Sequence, residues 1–114
     1  MIEYWHNPRC SKSRAGLELL HEHGVDPAVR LYLKDAPNTA QITAVWRALG
    51  SPPVIDMMRP GEKLFKDLGL SGGDSETTLI AAMAAHPILI ERPIAISGTR
   101  AIIGRPTQAI LDLL

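Results

Sequence analysis

The apolar positions of this chain fall into short runs of period two near its ends and longer runs of helical period between them. Ile2 to Trp5 is short, apolar and closed by Asn7-Pro8, which predicts a buried first strand ended by a turn. Ser11 to His23 reads as a helix with Ala15, Leu19 and Leu20 on one face and Gly24 as its stop. Val29 to Leu33, preceded by the breaker Asp26-Pro27, alternates enough for a second strand. Strand, helix and strand in this order predict a βαβ unit with two parallel strands. The loop carrying Cys10 then lies at the carboxyl edge of the first strand, where open α/β sheets place their sites.

The middle of the chain is helical in period. Thr39 to Leu49 places Ile42, Val45, Trp46 and Leu49 at helical spacing, with Thr39 as N-cap and Gly50 as stop. Pro52-Pro53 opens a short segment, Val54 to Met58, and two further helices are predicted at Lys63 to Leu68 and Glu76 to Ala85. Gly69-Leu70-Ser71-Gly72-Gly73 separates them and His86-Pro87 ends the second. Met57, Met58 and Met83 are expected to fill the core rather than form a binding surface. Sheet character returns after Pro87: Ile88 to Ile90 is apolar, Ile94 to Ser97 alternates, Gly98-Thr99 reads as a turn and Ala101 to Ile103 as an antiparallel return strand. Pro106 and Thr107 open a last helix with Ile110, Leu111 and Leu114 on its apolar face. The order β-α-β, helices, β-β-α matches an α/β fold of thioredoxin-like plan, with a helical insertion at about residues 39–86.

Composition narrows the classes of function. A chain of 114 residues with no repeat and no long linker is expected to form one domain over 1–114. Twelve basic and twelve acidic side chains cancel, so nothing at whole-chain level favours nucleic acid or an anionic membrane. Any positive site must be local. A single cysteine excludes an internal disulfide and a Cys-rich zinc site, and no metal site is expected. The opening M-I-E-Y-W-H has no basic region followed by an apolar run, and the expectation is a soluble, cytoplasmic protein.

The chemistry centres on Cys10. A lone cysteine is most often a small buried hydrophobe. Here it stands where a strand ends and a helix begins, so unpaired helix N-terminal amides favour its thiolate. His6, Arg9, Lys12 and Arg14 add positive charge nearby. His6 has two readings: a cation that stabilises the thiolate, or a hydrogen-bonding group that holds the loop. His86, before Pro87, reads as a helix-end residue.

Arg-Pro occurs three times, at Arg59-Pro60, Arg92-Pro93 and Arg105-Pro106, where composition alone gives fewer than one. Each proline biases its arginine toward extended backbone at the edge of an element. A guanidinium held that way is a fork whose donors suit a carboxylate or a tetrahedral oxyanion. Any one of them reads most simply as a surface arginine; three in a neutral chain suggest an oxyanion pocket around the thiolate.

Three stretches, H-N-P-R-C-S-K-S-R at His6 to Arg14, H-P-I-L-I-E-R-P-I at His86 to Ile94 and G-R-P at Gly104 to Pro106, together resemble the glutaredoxin-coupled, glutathione-dependent arsenate reductase family. The resemblance spans essentially the whole chain. It implies a thioredoxin-like fold, Cys10 as catalytic nucleophile, and His6 as support for the thiolate or its loop. It further implies Arg59, Arg92 and Arg105 as the arginines that hold arsenate or an arsenic intermediate. Pro93 would occupy the cis-proline turn facing the cysteine, and Asn7, Ser13 and Arg14 would support the loop. No cofactor is implied; glutathione is the co-substrate and glutaredoxin the partner, because a chain with one thiol must draw the next one from another molecule.

Ser11-Lys12 stands where the best-known reductases of that family have Gly-Thr, a difference shared with a related, reductase-like branch. A further branch of redox-sensing transcriptional regulators carries a second cysteine where this chain has Ser13. Alongside arsenate reduction, two other readings therefore stay open: a thiol oxidoreductase of the same fold with another substrate, and a noncatalytic binding module.

Overall fold

The computed structural model describes residues 1–114 and contains four strands, four α-helices and three 3-10 turns. β1 (Ile2–Trp5), β2 (Ala28–Arg30), β3 (Ile94–Ser97) and β4 (Arg100–Ile103) form one sheet in the order β2-β1-β3-β4. β1 and β2 are parallel, with Tyr4 opposite Val29; β1–β3 and β3–β4 are antiparallel, with Tyr4 opposite Ala95 and Ala95 opposite Ile102. The fold is thioredoxin-like, as the order of elements predicts. Gly98, at φ +61°, lies in the tight turn between β3 and β4 that L side chains adopt poorly.

Period two in the strands divides the core between the two faces of the sheet. Ile2, Tyr4 and Ala95 face one side and pack with Leu20 of α1 (Ser11–Glu22) and Ile110 of the C-terminal turn. Trp5, Ile94 and Ala101 face the other and meet α2 (Thr39–Ala48) and α4 (Glu76–Ala85) through Ile42, Val45, Leu79 and Met83. The short α3 (Lys63–Asp67) adds Phe65 to this larger core. Met57, Met58 and Met83 are all buried in it, in agreement with their reading as core residues. Full burial of a side chain of this size contributes about 1.5–3 kcal/mol.

Several boundaries differ from the periodicity. α1 buries Ser13, Gly16 and Leu20, while Ala15 is exposed and Leu19 only partly covered. The predicted strand Val29 to Leu33 stops at Arg30: the chain turns, sending Tyr32 inward and leaving Leu31 and Leu33 on the surface. Asn38, not Thr39, caps α2, in a reciprocal capping box where Asn38 Oδ1 accepts from Gln41 N–H and Gln41 Oε1 from Asn38 N–H. Ile88 to Ile90 is not a strand: Pro87–Leu89 is a 3-10 turn, and Ile90 makes a single antiparallel bridge with Met58. The last element is a 3-10 helix, Thr107–Leu113, that buries Ile110 and packs Leu113 inward, whereas Leu114 is exposed.

Gly16 explains the hidden face of α1. A Cβ there would collide with the Tyr4 hydroxyl and come within 2.8 Å of Ile110 Cδ1 and 3.3 Å of Pro93 Cγ. Alanine normally stabilises a helix interior relative to glycine by about 1 kcal/mol. Gly16→Ala is nevertheless expected to destabilise the protein by about 1–3 kcal/mol through overpacking. Urea unfolding of the two proteins measures it, and a stabilised alanine variant would contradict the packing.

Candidate active site

Cys10 follows β1 at its carboxyl end and is the N-cap of α1, with extended backbone at φ −94° and ψ 123°. The loop before it is tied down at each residue that the sequence marked. Cys10 N–H donates to the Asn7 carbonyl at 3.0 Å, and Arg9 N–H to Asn7 Oδ1 at 3.0 Å. Arg14 Nη1 reaches back to the Pro8 carbonyl at 2.9 Å, so this arginine braces the loop. Arg9 and Lys12 are exposed.

Ser13 is the hub beneath the loop. It is fully buried; its Oγ accepts the Asn7 N–H at 2.9 Å and lies 2.7 Å from His6 Nδ1. Its carbonyl accepts the Tyr4 hydroxyl at 2.7 Å. Burial pushes the Tyr4 phenol far up, so it stays protonated as that donor. Burial, and then the charge of Arg14, hold His6 below its ordinary value. His6 is therefore neutral at neutral pH, with its Nδ1 against the buried Ser13 hydroxyl.

The Cys10 thiol is pushed up by partial burial, but opposing effects outweigh it and its pKa falls below the ordinary value. The backbone amides of Ser13 and Lys12 and then the positive charge of Arg92 favour the thiolate. This is the chemistry of a helix N-cap applied to a thiolate. Alkylation of Cys10 by iodoacetamide is expected to rise with pH through a midpoint below that of a free thiol, about 8.5. A midpoint at or above that value would mean that the amides and Arg92 do not act on the sulfur.

The three arginines of the Arg-Pro dipeptides approach from distant parts of the chain. Arg105 Nη2 lies 3.9 Å from Cys10 Sγ, and its Nε donates to the Arg92 carbonyl at 3.0 Å. Arg92 is largely buried, and its Nε has no hydrogen-bond partner. Arg59 is carried to the same side by the Met58–Ile90 bridge, where Arg59 N–H donates to the Leu89 carbonyl and Glu91 N–H to the Met57 carbonyl, both at 2.8 Å. The Arg59 guanidinium itself pairs with Glu62 at 2.8 Å. The Arg92-Pro93 bond is cis, as expected, and Arg105-Pro106 is cis as well. Pro93 is buried and its carbonyl accepts the Gly104 N–H at 2.9 Å, linking the two Arg-Pro segments.

Three site residues escaped the sequence reading. Tyr32 is buried; burial pushes its phenol up to about 12 against the pull of Arg92 and Arg59, so it stays protonated. Glu62 stands three residues after Arg59, a spacing that could have been read as a local pair. Glu91 sits beside Arg92 and also 3.6 Å from Arg105 Nε, a long-range contact without a sequence signal. His86 caps α4 through its N–H, which donates to the Ala82 carbonyl.

A hollow of ≈ 340 Å³ lined by Lys12, Gly104, Arg105, Pro106, Thr107 and Gln108 adjoins the arginine nearest the sulfur. No group of three or more His, Cys, Asp or Glu side chains is placed to hold a metal ion. No helix is long and apolar enough to cross a membrane.

A thioredoxin-like sheet, a thiol at a helix N-terminus and the Arg92 and Arg105 guanidinium groups beside it define a single-thiol protein with an arginine-lined site. The chain belongs to the ArsC family, whose model matches residues 5–113. It is 41% identical to an arsenate reductase of Haemophilus influenzae over 111 residues, covering 96% of each chain. It is 42% identical to the uncharacterized protein YfgD of Escherichia coli, covering 99% of this chain and 96% of that one. The solved arsenate reductase from Vibrio cholerae superposes with a TM-score of 0.95 at 42% identity, over 99% of this chain and 97% of that one.

Proposed function

We propose that this protein is an arsenate reductase in which the Cys10 thiolate attacks arsenic while Arg59, Arg92 and Arg105 hold the arsenate oxygens. The observation that carries this reading is the Arg105 guanidinium 3.9 Å from the Cys10 sulfur, held there by its Nε bond to the Arg92 carbonyl, beside a thiol whose deprotonated form is favoured. Family membership and the names of the relatives support the substrate.

Arsenate is an anion at neutral pH and repels a thiolate. The guanidinium groups offset that repulsion and the charge that builds up on oxygen during attack. Thiolate, arsenate monoanion and one proton give a Cys10–arsenate thioester and water. A second thiol supplies the remaining electrons: overall, two thiols become one disulfide as As(V) becomes As(III), and arsenite leaves. Ser13 occupies the place of a local resolving thiol and is committed to the loop. The second thiol therefore comes from outside, in this reading from glutathione, with glutaredoxin reducing the mixed disulfide left on Cys10.

NADPH oxidation coupled through glutathione reductase and glutaredoxin tests the proposal. Arsenate-dependent oxidation that forms arsenite and stops when glutathione or glutaredoxin is omitted is the expected result. Turnover of glutathione mixed disulfides without any dependence on arsenate would replace it with a general thiol oxidoreductase. Absence of both activities would favour a binding module.

A further inference from the structure

Each arginine of the site meets a carboxylate of its own chain. Glu62 pairs with Arg59, and Glu91 Oε1 lies 3.4 Å from Arg92 Nη1 and 3.6 Å from Arg105 Nε. Glu91 is not a loose surface acid. Its N–H is bound to the Met57 carbonyl, its Oε1 accepts the Arg92 N–H at 3.0 Å, and only 24% of its side chain is exposed. With Cys10 ionised, Arg92 and Arg105 against Glu91 and the thiolate leave this cluster formally neutral. Removing the Glu91 charge would leave it positive.

Any anion that binds the Arg92 and Arg105 guanidinium groups meets the Glu91 carboxylate on the same two groups. The repulsion scales with the charge of the anion, and partial burial strengthens it relative to water. Arsenate can offset this by forming a bond to Cys10. Sulfate and phosphate, which resemble it in shape, have only the non-covalent hold. We infer that Glu91 determines specificity: it fixes Arg92 and Arg105 and keeps their non-covalent affinity low, so that inert tetrahedral dianions do not occupy the site. The inference rests on the oxyanion reading given above.

Protection of Cys10 from iodoacetamide tests it without glutathione, glutaredoxin or turnover. Alkylation rates are measured against sulfate at fixed pH and constant ionic strength, each variant normalised to its own rate without sulfate. Glu91→Gln keeps the shape and removes the charge, and its half-protecting sulfate concentration is expected to fall about tenfold relative to wild type. Glu91→Asp keeps the charge and is expected to stay within about twofold of wild type. A merely structural glutamate would give weaker, not tighter, sulfate binding when replaced. Unchanged or weakened protection in Glu91→Gln, or equal tightening in both variants, would overturn the inference while leaving the oxyanion site intact. If arsenate itself fails to protect wild-type Cys10 at any concentration, the oxyanion reading falls, and the role of Glu91 with it.

Discussion

Replacing Cys10 by serine is expected to abolish arsenite formation, lowering kcat by about a thousandfold or more. The serine hydroxyl fits the space of the thiol and serine suits the N-cap position that Cys10 holds, so the loop built on Ser13, Asn7 and Arg14 should persist. What disappears is the nucleophile. Helix amides and an arginine can bring a thiol into the range where much of it is ionised, but an alcohol starts many pK units higher and remains neutral beside the same groups. Circular dichroism and thermal unfolding should match wild type, while the coupled assay reads no arsenate-dependent oxidation. Arsenite production by a folded serine variant would remove Cys10 from the chemistry and leave the pocket without a nucleophile.

Replacing Arg92 by glutamine should lower kcat/KM for arsenate by about 10²–10³. Arg92 is the most enclosed of the three arginines, with a side chain 16% exposed against 26% for Arg59 and 35% for Arg105. It acts twice. Its guanidinium is a planar fork beside that of Arg105, and its charge favours the Cys10 thiolate. Glutamine removes both, and also leaves Glu91 with Arg105 as its one remaining guanidinium neighbour at the site. The midpoint of Cys10 alkylation should therefore move to higher pH in parallel with the loss of activity. Arg92→Lys separates the two contributions, because lysine keeps the charge but replaces a planar fork with a point donor. It should hold the alkylation midpoint near wild type and still lose kcat/KM for arsenate, by about tenfold. Equal activity in lysine and wild-type proteins would mean that charge alone is required.

The residues that act on Cys10 illustrate why part of the site was legible and part was not. Cys10 itself, the helix after it and the three Arg-Pro dipeptides stand out because each is a local signal: a breaker, a cap, a proline-restricted arginine. Their resemblance to one family supplied the expectation that they meet. Glu91 and Tyr32 carry no such mark. Glu91 is adjacent to Arg92, but its second arginine is fourteen positions away and reaches it only because Pro93 and Gly104 are hydrogen-bonded across β3 and β4. Tyr32 looked like one position of an exposed-buried strand until the chain turned at Leu31 and buried it in the larger core, where the charges of Arg92 and Arg59 reach its phenol. Periodicity also missed the buried face of α1, because it looks for large apolar side chains and this face is made of Ser13 and Gly16 as well as Leu20.

By itself the sequence determined the thioredoxin-like order of elements and the placement of its one thiol at a helix N-terminus. These are properties of local conformation and of counting, and they need no knowledge of distant contacts. The tertiary structure alone decided that His6 Nδ1 meets the buried Ser13 hydroxyl, that α1 closes tightly on Tyr4, and that Glu62 pairs with Arg59 and Glu91 with Arg92 and Arg105. The reason is physical: burial, charge balance and close packing are set by which groups become neighbours in space. Residues far apart in the chain acquire those neighbours only when the sheet and its two layers of helices assemble.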